Sequence, residues 1–233
     1  MLSVLSYNVH FGKRLDRIIF WLLTQRAYDV ICFQEFPKQY IPICVKALAW
    51  GNYGYRFAPF LKRRGKLYGE LTLFRKEKLS LVSSSTLFLG INSGERVLLR
   101  ARIPRTSLVT LFRYQRKHIV LVNVHLVNVA FNALRYQQLM KIVKKLGDYH
   151  MPSMLVGDFN LSSFFGRRKL FRLMKECGYE TYMKRLSTHR ISVVRHQMDY
   201  VFWKKMNVTT PVVYKRIKFS DHLPFALMLS PKR

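Results

Sequence analysis

Two short segments carry the sharpest chemistry in this sequence. In GDFN (157–160) the apolar run SMLV ends at Gly157, followed by Asp158 and Asn160. Glycine allows close backbone approach. In an extended segment, side chains two residues apart point the same way. A carboxylate beside an amide can orient an attacking water and hold a phosphate oxygen, although the pair also suits an Asx turn after a strand. In SDHLPF, Asp221 and His222 precede the last apolar run. Both reach one site only if the chain turns there, and Ser220 and Pro224 are compatible with a turn. Asp221 could ligate a metal or support another ligand. His222 could contact a scissile phosphate or move a proton. Asp199, in MDYVF, is a candidate orienter of His222, since a paired carboxylate fixes the imidazole tautomer.

Further polar residues close other apolar runs. Glu35 ends VICFQE and is either a helix-cap anion or a ligand for a hard cation. Mg2+ takes one or two carboxylates and keeps waters, so Glu35 with Asp221 would suffice. Asn8 ends LSVLSYN and could hold a metal-bound water or a phosphate oxygen. His125 follows IVLVNV and could donate a proton to a leaving oxygen. Singly, each reads as an ordinary polar residue at a strand end. Jointly they supply acids for a divalent metal, amides for a phosphate and imidazoles for proton transfer, the inventory of phosphoester hydrolysis. The remaining histidines (His10, His118, His150, His189 and His196) lack this setting and read as surface or structural, although His10 lies near Asn8.

The elements that must position these residues alternate strands with a few helices. LSVLSYN, VICFQ, SMLVGD, MDYVFW and LPFALML read as strands, and LTLFRK, LSLVSSSTLFL, RVLLRARI, LVTLFRY and HIVLVNVHL form a long β series. Helical spacing marks residues 16–26, 41–50, 132–146 and 168–177, with Asn132 a candidate cap. Two packed sheets flanked by helices follow from this pattern. No linker or repeat divides the 233 residues, so one domain over 1–233 is expected.

Hydrophobic residues make up 49% of the chain, enough for a substantial core. No apolar run reaches membrane-span length. No signal peptide is evident, and the odd count of cysteines (Cys32, Cys44, Cys177) suggests reduced thiols, so a cytoplasmic location is expected. The charge balance is extreme. Lys and Arg total 41 against 12 Asp and Glu, a formal net charge of +29 spread along the chain. Such a field attracts polyanions, nucleic acid first and anionic membrane second.

The ordered series SYNV, FQEF, NVHL, GDFN, MDYVF and SDHLP resembles the endonuclease/exonuclease/phosphatase superfamily, from the first strand to the last. That group includes pancreatic-type deoxyribonuclease, apurinic endonucleases, inositol polyphosphate 5-phosphatases, neutral sphingomyelinases and tyrosyl-DNA phosphodiesterases. The resemblance implies a DNase I-like, four-layer α/β/β/α sandwich with its site where loops of the two sheets meet. It implies hydrolysis dependent on Mg2+ (or Mn2+), with Glu35 on the metal and Asn8 and Asp221 beside it. It further implies that Asp158 activates or orients water, Asn160 contacts phosphate, Asp199 supports His222 and His125 serves as proton donor. NVHL argues against the apurinic endonuclease branch, where a tyrosine does related work. ERVLLRARI resembles a family strand with an arginine near the site, making Arg96 a substrate-binding candidate. Arg135 and Gln138 match a structural helix. Glu70 occupies a position from which an acid could pair with His125.

The chain is compact for this superfamily, without room for a lipid-binding insertion. Its charge favours a nuclease acting on a DNA or RNA backbone with little sequence preference. Tyr53, Tyr55, Phe57 and Phe60, before LKRRGK, could stack on bases or fill a core. The alternative substrate is a phospholipid or inositol phosphate at an anionic membrane. A basic binding module with a vestigial site is the third reading. No protein partner is implied, and a monomer is expected.

Overall fold

The computed structural model describes the chain except residues 26–27, 64, 91–93, 95–96, 98–102, 129, 192–193 and 233. Two mixed sheets form its centre. The first is seven-stranded, in the order β13 (Met206–Val208), β15 (Phe225–Pro231), β1 (Leu2–Asn8), β2 (Val30–Pro37), β4 (Lys66–Arg75), β3 (Tyr53–Arg63), with β14 (Val212–Val213) also on β15. The second is six-stranded, in the order β5 (Leu79–Gly90), β6 (Arg105–Tyr114), β7 (Lys117–His125), β8 (Ser153–Asp158), β12 (Asp199–Lys204), β9 (Glu180–Thr181). A hairpin of β10 (His189–Ile191) and β11 (Val194–His196) stands apart.

Packing follows the sequence pattern. VICFQ and MLVGD are apolar on both faces and become central strands, β2 and β8, buried on both sides. One face of each sheet meets the other sheet: Val4, Cys32, Phe74, Phe112, Leu121, Met154, Val156 and Phe225 share one apolar cluster. The outer face of the first sheet packs on α1 (Leu15–Leu23) and α2 (Ile41–Ala47) through Ile18, Trp21, Leu22 and Cys44. The outer face of the second packs on α3 (Asn132–Gly147) and α4 (Phe164–Glu176) through Leu139, Ile142, Leu170 and Met174. The layers therefore run α/β/β/α, as expected. A polar clasp crosses the apolar seam: Gln34 donates to the Asn123 side chain at 2.7 Å, and Asn123 donates to the carbonyls of Phe33 and Leu71.

Some expectations shift. Asn132 does not cap α3; Phe131 occupies that position, and the Asn132 side chain accepts from Arg135 at 2.8 Å. The aromatic series before LKRRGK lies on β3, with Tyr53 and Phe60 buried and Tyr55 exposed. The strand expected at RVLLRARI falls almost wholly outside the described residues. The cysteines are all free, with Cys32 in the inter-sheet core. No helix among the described residues is long and apolar enough to cross a membrane.

Candidate active site

Strand register assembles one side of the site. In parallel β7–β8, His125 pairs with Asp158; in antiparallel β8–β12, Asp158 pairs with Asp199. The three therefore stand in one row across neighbouring strands, their side chains on the same face. Gly157 makes the row possible: its φ is +140°, and a Cβ there would lie 2.1 Å from the Val124 carbonyl oxygen.

The first sheet supplies the other side. Asn8 and Gln34 pair across parallel β1–β2, and a bulge in β2 between Phe33 and Phe36 breaks the register with β4. Glu35 sits in that bulge at φ +57°, a costly conformation for a side chain that re-aims its carboxylate out of the strand. Asn160 is also left-handed, at φ +53°. Its backbone N–H donates to Asp158 Oδ1 at 2.8 Å, an Asx-type turn, and its side chain donates to the Leu126 carbonyl at 3.0 Å. At SDHLPF the chain turns as required: the Ser220 hydroxyl donates to the Asn8 carbonyl and accepts from the His222 N–H.

These residues converge. The Asn8 amide nitrogen lies 3.1 Å from Asp158 Oδ2 and 3.4 Å from Glu35 Oε1, while its oxygen accepts the His10 N–H. That last bond fixes the amide orientation, so Asn8 turns its N–H groups, not its oxygen, toward the acids. His125 Nε2 is 3.7 Å from both Glu35 and Asp158, and His222 Nε2 is 3.6 Å from Asp158. His222 Nδ1 meets Asp199 at 2.8 Å. Asp221, 38% exposed, lies at the rim, 2.9 Å from His10 Nδ1 and 3.9 Å from His189 Nε2.

The two buried imidazoles differ in what stands behind them. Behind His125 is the Arg105 guanidinium, 3.1 Å from Nδ1. A guanidinium only donates, so Nδ1 accepts and the ring hydrogen is on Nε2. Burial pulls His125 well below the ordinary histidine value, and the charges of Arg105 and His222 pull it further. Burial alone would also lower His222, but the charges of Asp199 and Asp158 outweigh it and push the imidazole up to about 10. Burial pushes Asp158 up to about 7, with His222 opposing and Asp199 adding. Burial raises Glu35 as well, and Asp221 contributes to the rise. Burial would raise Asp221, but the hydrogen bond from His10 and the charge of His222 together outweigh it and hold the carboxyl below the usual range.

Several participants escaped the sequence reading. Arg96 lies outside the described residues; Arg105, at the start of β6, is the arginine beside His125. It also lies 4.1 Å over the ring of Phe60, whose edge-on contact with His125 spans 4.8 Å. The signal was present: PRTSLVTL is also an arginine opening an apolar strand. Glu70 is buried, accepts from Thr106 at 2.9 Å and feels the charge of Arg105, while burial pushes its carboxyl up to about 8. Nδ1 of His125 is thus taken by Arg105. His10 and His189 are not peripheral: they flank Asp221, and His189 stacks edge-on against His222 at 4.6 Å. Arg135 and Gln138 hold the loop after His125, binding the Val127 carbonyl and N–H.

Among the described residues no three His, Cys, Asp or Glu side chains form a ready metal cage. A hard cation that keeps its waters needs less. Glu35 and Asp221 offer carboxylate oxygens, with the Asp221 charge felt at Glu35, and among the described residues His125 Nε2 is a buried donor without a hydrogen-bond partner, 3.7 Å from Glu35 and Asp158. Oxygen donors around an incompletely satisfied polar pocket fit Mg2+ or Mn2+.

Residues 5–222 match the model of the Endonuclease/Exonuclease/phosphatase family. No curated protein matches the sequence significantly. Among solved structures, the chain is similar to an endonuclease/exonuclease/phosphatase from Bacteroides vulgatus at 18% identity, with a TM-score of 0.80 over 99% of both chains. It is also similar to a humanized D. rerio TDP2 at 16% identity, with a TM-score of 0.78 over 98% of each chain. A third is ANGEL2, a 2',3'-cyclic phosphatase in complex with adenosine-2',3'-vanadate, at 16% identity and a TM-score of 0.78, over 100% of this chain and 96% of that one. The chain belongs to the Endonuclease/Exonuclease/phosphatase family, a family of phosphoesterases.

Proposed function

We propose that this protein hydrolyses phosphodiester bonds in nucleic acid with the help of Mg2+ or Mn2+. The observation that carries the reading is the convergence of Glu35, Asp158, His125 and His222 from both sheets on one polar pocket, within a chain of net charge +29. Members of the family generally use divalent metal ions. The nucleotide ligand of ANGEL2 favours a nucleic-acid substrate here over a lipid or inositol phosphate. Residues 1–233 act as one unit in this reading, since each sheet supplies part of the site.

Glu35 and Asp221 would hold the cation, which when bound would neutralise charge on the phosphoryl oxygens. Asn8 orients the Glu35 and Asp158 carboxylates with its two N–H groups. Asp158 orients the attacking water and takes its proton; burial lifts this carboxylate close to the working range of a general base. The P–O bond to the leaving group breaks, and His222 Nε2–H supplies the proton to that oxygen. Asp199 keeps His222 charged and in register. His125 is a neutral donor whose Nε2–H binds a phosphoryl oxygen, and Asn160 braces the loop that carries Asp158. In this role His125 stabilises charge and does not deliver the proton.

A cleavage panel tests the reading: plasmid, single-stranded DNA, RNA and phosphoinositide vesicles, each with Mg2+, Mn2+ or EDTA. Cleavage of nucleic acid with either cation and none in EDTA is expected. Nucleic acid left intact while vesicle phosphate is released would overturn it.

A further inference from the structure

The loops that leave β7 and β8 carry unusual side chains. Phe131 is 90% exposed, Phe165 80% and Phe164 57%. Such rings normally find cover. They are not scattered. Phe131 immediately precedes α3 and Phe164 opens α4, and the first turns of the two helices touch: the Tyr136 hydroxyl donates to the Gly166 carbonyl at 3.0 Å, and a Cβ on Gly166 would lie 3.1 Å from the Asn132 amide nitrogen. The same loops are tied to the site, because Asn160 donates to the Leu126 carbonyl and Leu126 N–H donates to the Asp158 carbonyl.

Cations sit among the rings. Arg168 lies over Phe164 at 5.6 Å, and Lys169 over Tyr136 at 4.8 Å. Phe164 and Phe165 meet edge-on at 5.5 Å. Neither helix has an acidic residue in its first turn. Exposed aromatic faces interleaved with cations suit a ligand with flat rings and a polyanionic backbone. In a duplex the bases are stacked on one another and offer no face to Phe131, Phe164 or Phe165. The acids themselves are recessed, with Asp158 and His222 both buried, so a flexible strand can reach them where a stiff duplex cannot.

We propose that Phe131, Phe164 and Phe165, with Arg168 and Lys169, form a platform that stacks unpaired bases beside the active site, so that the protein selects single-stranded or frayed nucleic acid. The proposal rests on the nucleic-acid reading above and narrows its substrate.

Binding without turnover tests it. Fluorescence anisotropy in EDTA would compare a labelled single-stranded oligonucleotide with a blunt duplex of the same sequence, for the wild type and for F131A, F165A and F164A/F165A. The expected result is tighter binding of the single strand, weakened about tenfold for each ring removed, with duplex binding changed less than about twofold. Phe165→Trp should retain single-strand affinity. Equal affinity for both oligonucleotides in the wild type, or alanine variants that bind like the wild type, would overturn the proposal. So would variants that lose sedimentation with anionic phospholipid vesicles while keeping oligonucleotide affinity, which would make the rings a membrane contact. Because the replaced rings are exposed, circular dichroism should be unchanged. If cleavage fails with every substrate but the single-strand preference stands, hydrolysis is refuted and the platform is not.

Discussion

His125 and His222 both approach one carboxylate oxygen, 3.7 and 3.6 Å from Asp158 Oδ2. Both are buried. Their charge states are nevertheless opposite, because a guanidinium backs one ring and a carboxylate backs the other. Burial lowers both rings; what separates them is the neighbouring charge, Arg105 beside His125 and Asp199 with Asp158 beside His222. One ring is a fixed neutral donor and the other a reservoir of positive charge. A substrate phosphate between them would meet two kinds of help from the same residue type.

The largest test removes the charged ring. His222→Ala should lower kcat by about 10³-fold or more, since proton delivery and charge are lost together; a loss below tenfold would end its role as acid. His125→Ala should cost about 100-fold, the usual effect of removing one donor to developing charge. A larger loss, with a new acidic limb in the wild-type pH profile tied to this ring, would restore His125 as the proton donor that the family resemblance implies. Asp199→Asn should cost about 10- to 100-fold and also move the profile. Activity needs Asp158 deprotonated and His222 protonated, so it should rise with pH through the Asp158 transition and fall through that of His222 near 10. A bound cation shifts the rising limb to lower pH. Losing the Asp199 charge lowers the His222 value, so the falling limb should move to lower pH; an unmoved limb would separate His222 from it. The smallest effect belongs to Arg105→Met. Freed from the guanidinium, His125 should rise toward the ordinary histidine range and lose its fixed tautomer, visible in 15N spectra, with kcat changed only a few-fold above neutral pH.

The rows of this site were legible because strand ends are legible. An apolar run that stops at Asn8, Glu35, His125 or Asp158 marks where a packed strand emerges, and parallel pairing brings those ends together. Residues that act from behind left no such mark. Arg105 opens a strand like many other arginines in this basic chain, and its meaning depends on Phe60 and Glu70, which neighbour it only across the sheet seam. His10 and His189 follow turns or sit in a short hairpin, where period and length say little. The direction of an amide is likewise invisible: the reading of Asn8 as a holder of a metal-bound water or a phosphate oxygen left its orientation open, and the backbone N–H of His10 engages its oxygen. Glu35 was chosen for its type and place, yet the bulge that aims it is a conformation that no glycine or proline announced.

The Gln34–Asn123 clasp has a consequence beyond its own bonds. Apolar packing has no preferred direction, so two greasy sheets could settle against each other at several offsets of nearly equal energy. A slip of one residue is about 3.3 Å along a strand, enough to draw Glu35 away from His125. An oriented amide pair favours one offset, and it lies adjacent in sequence to Glu35 and two residues before His125. The alignment gauge and the working groups are thus cut from the same strands, and an error in one is felt at once by the other.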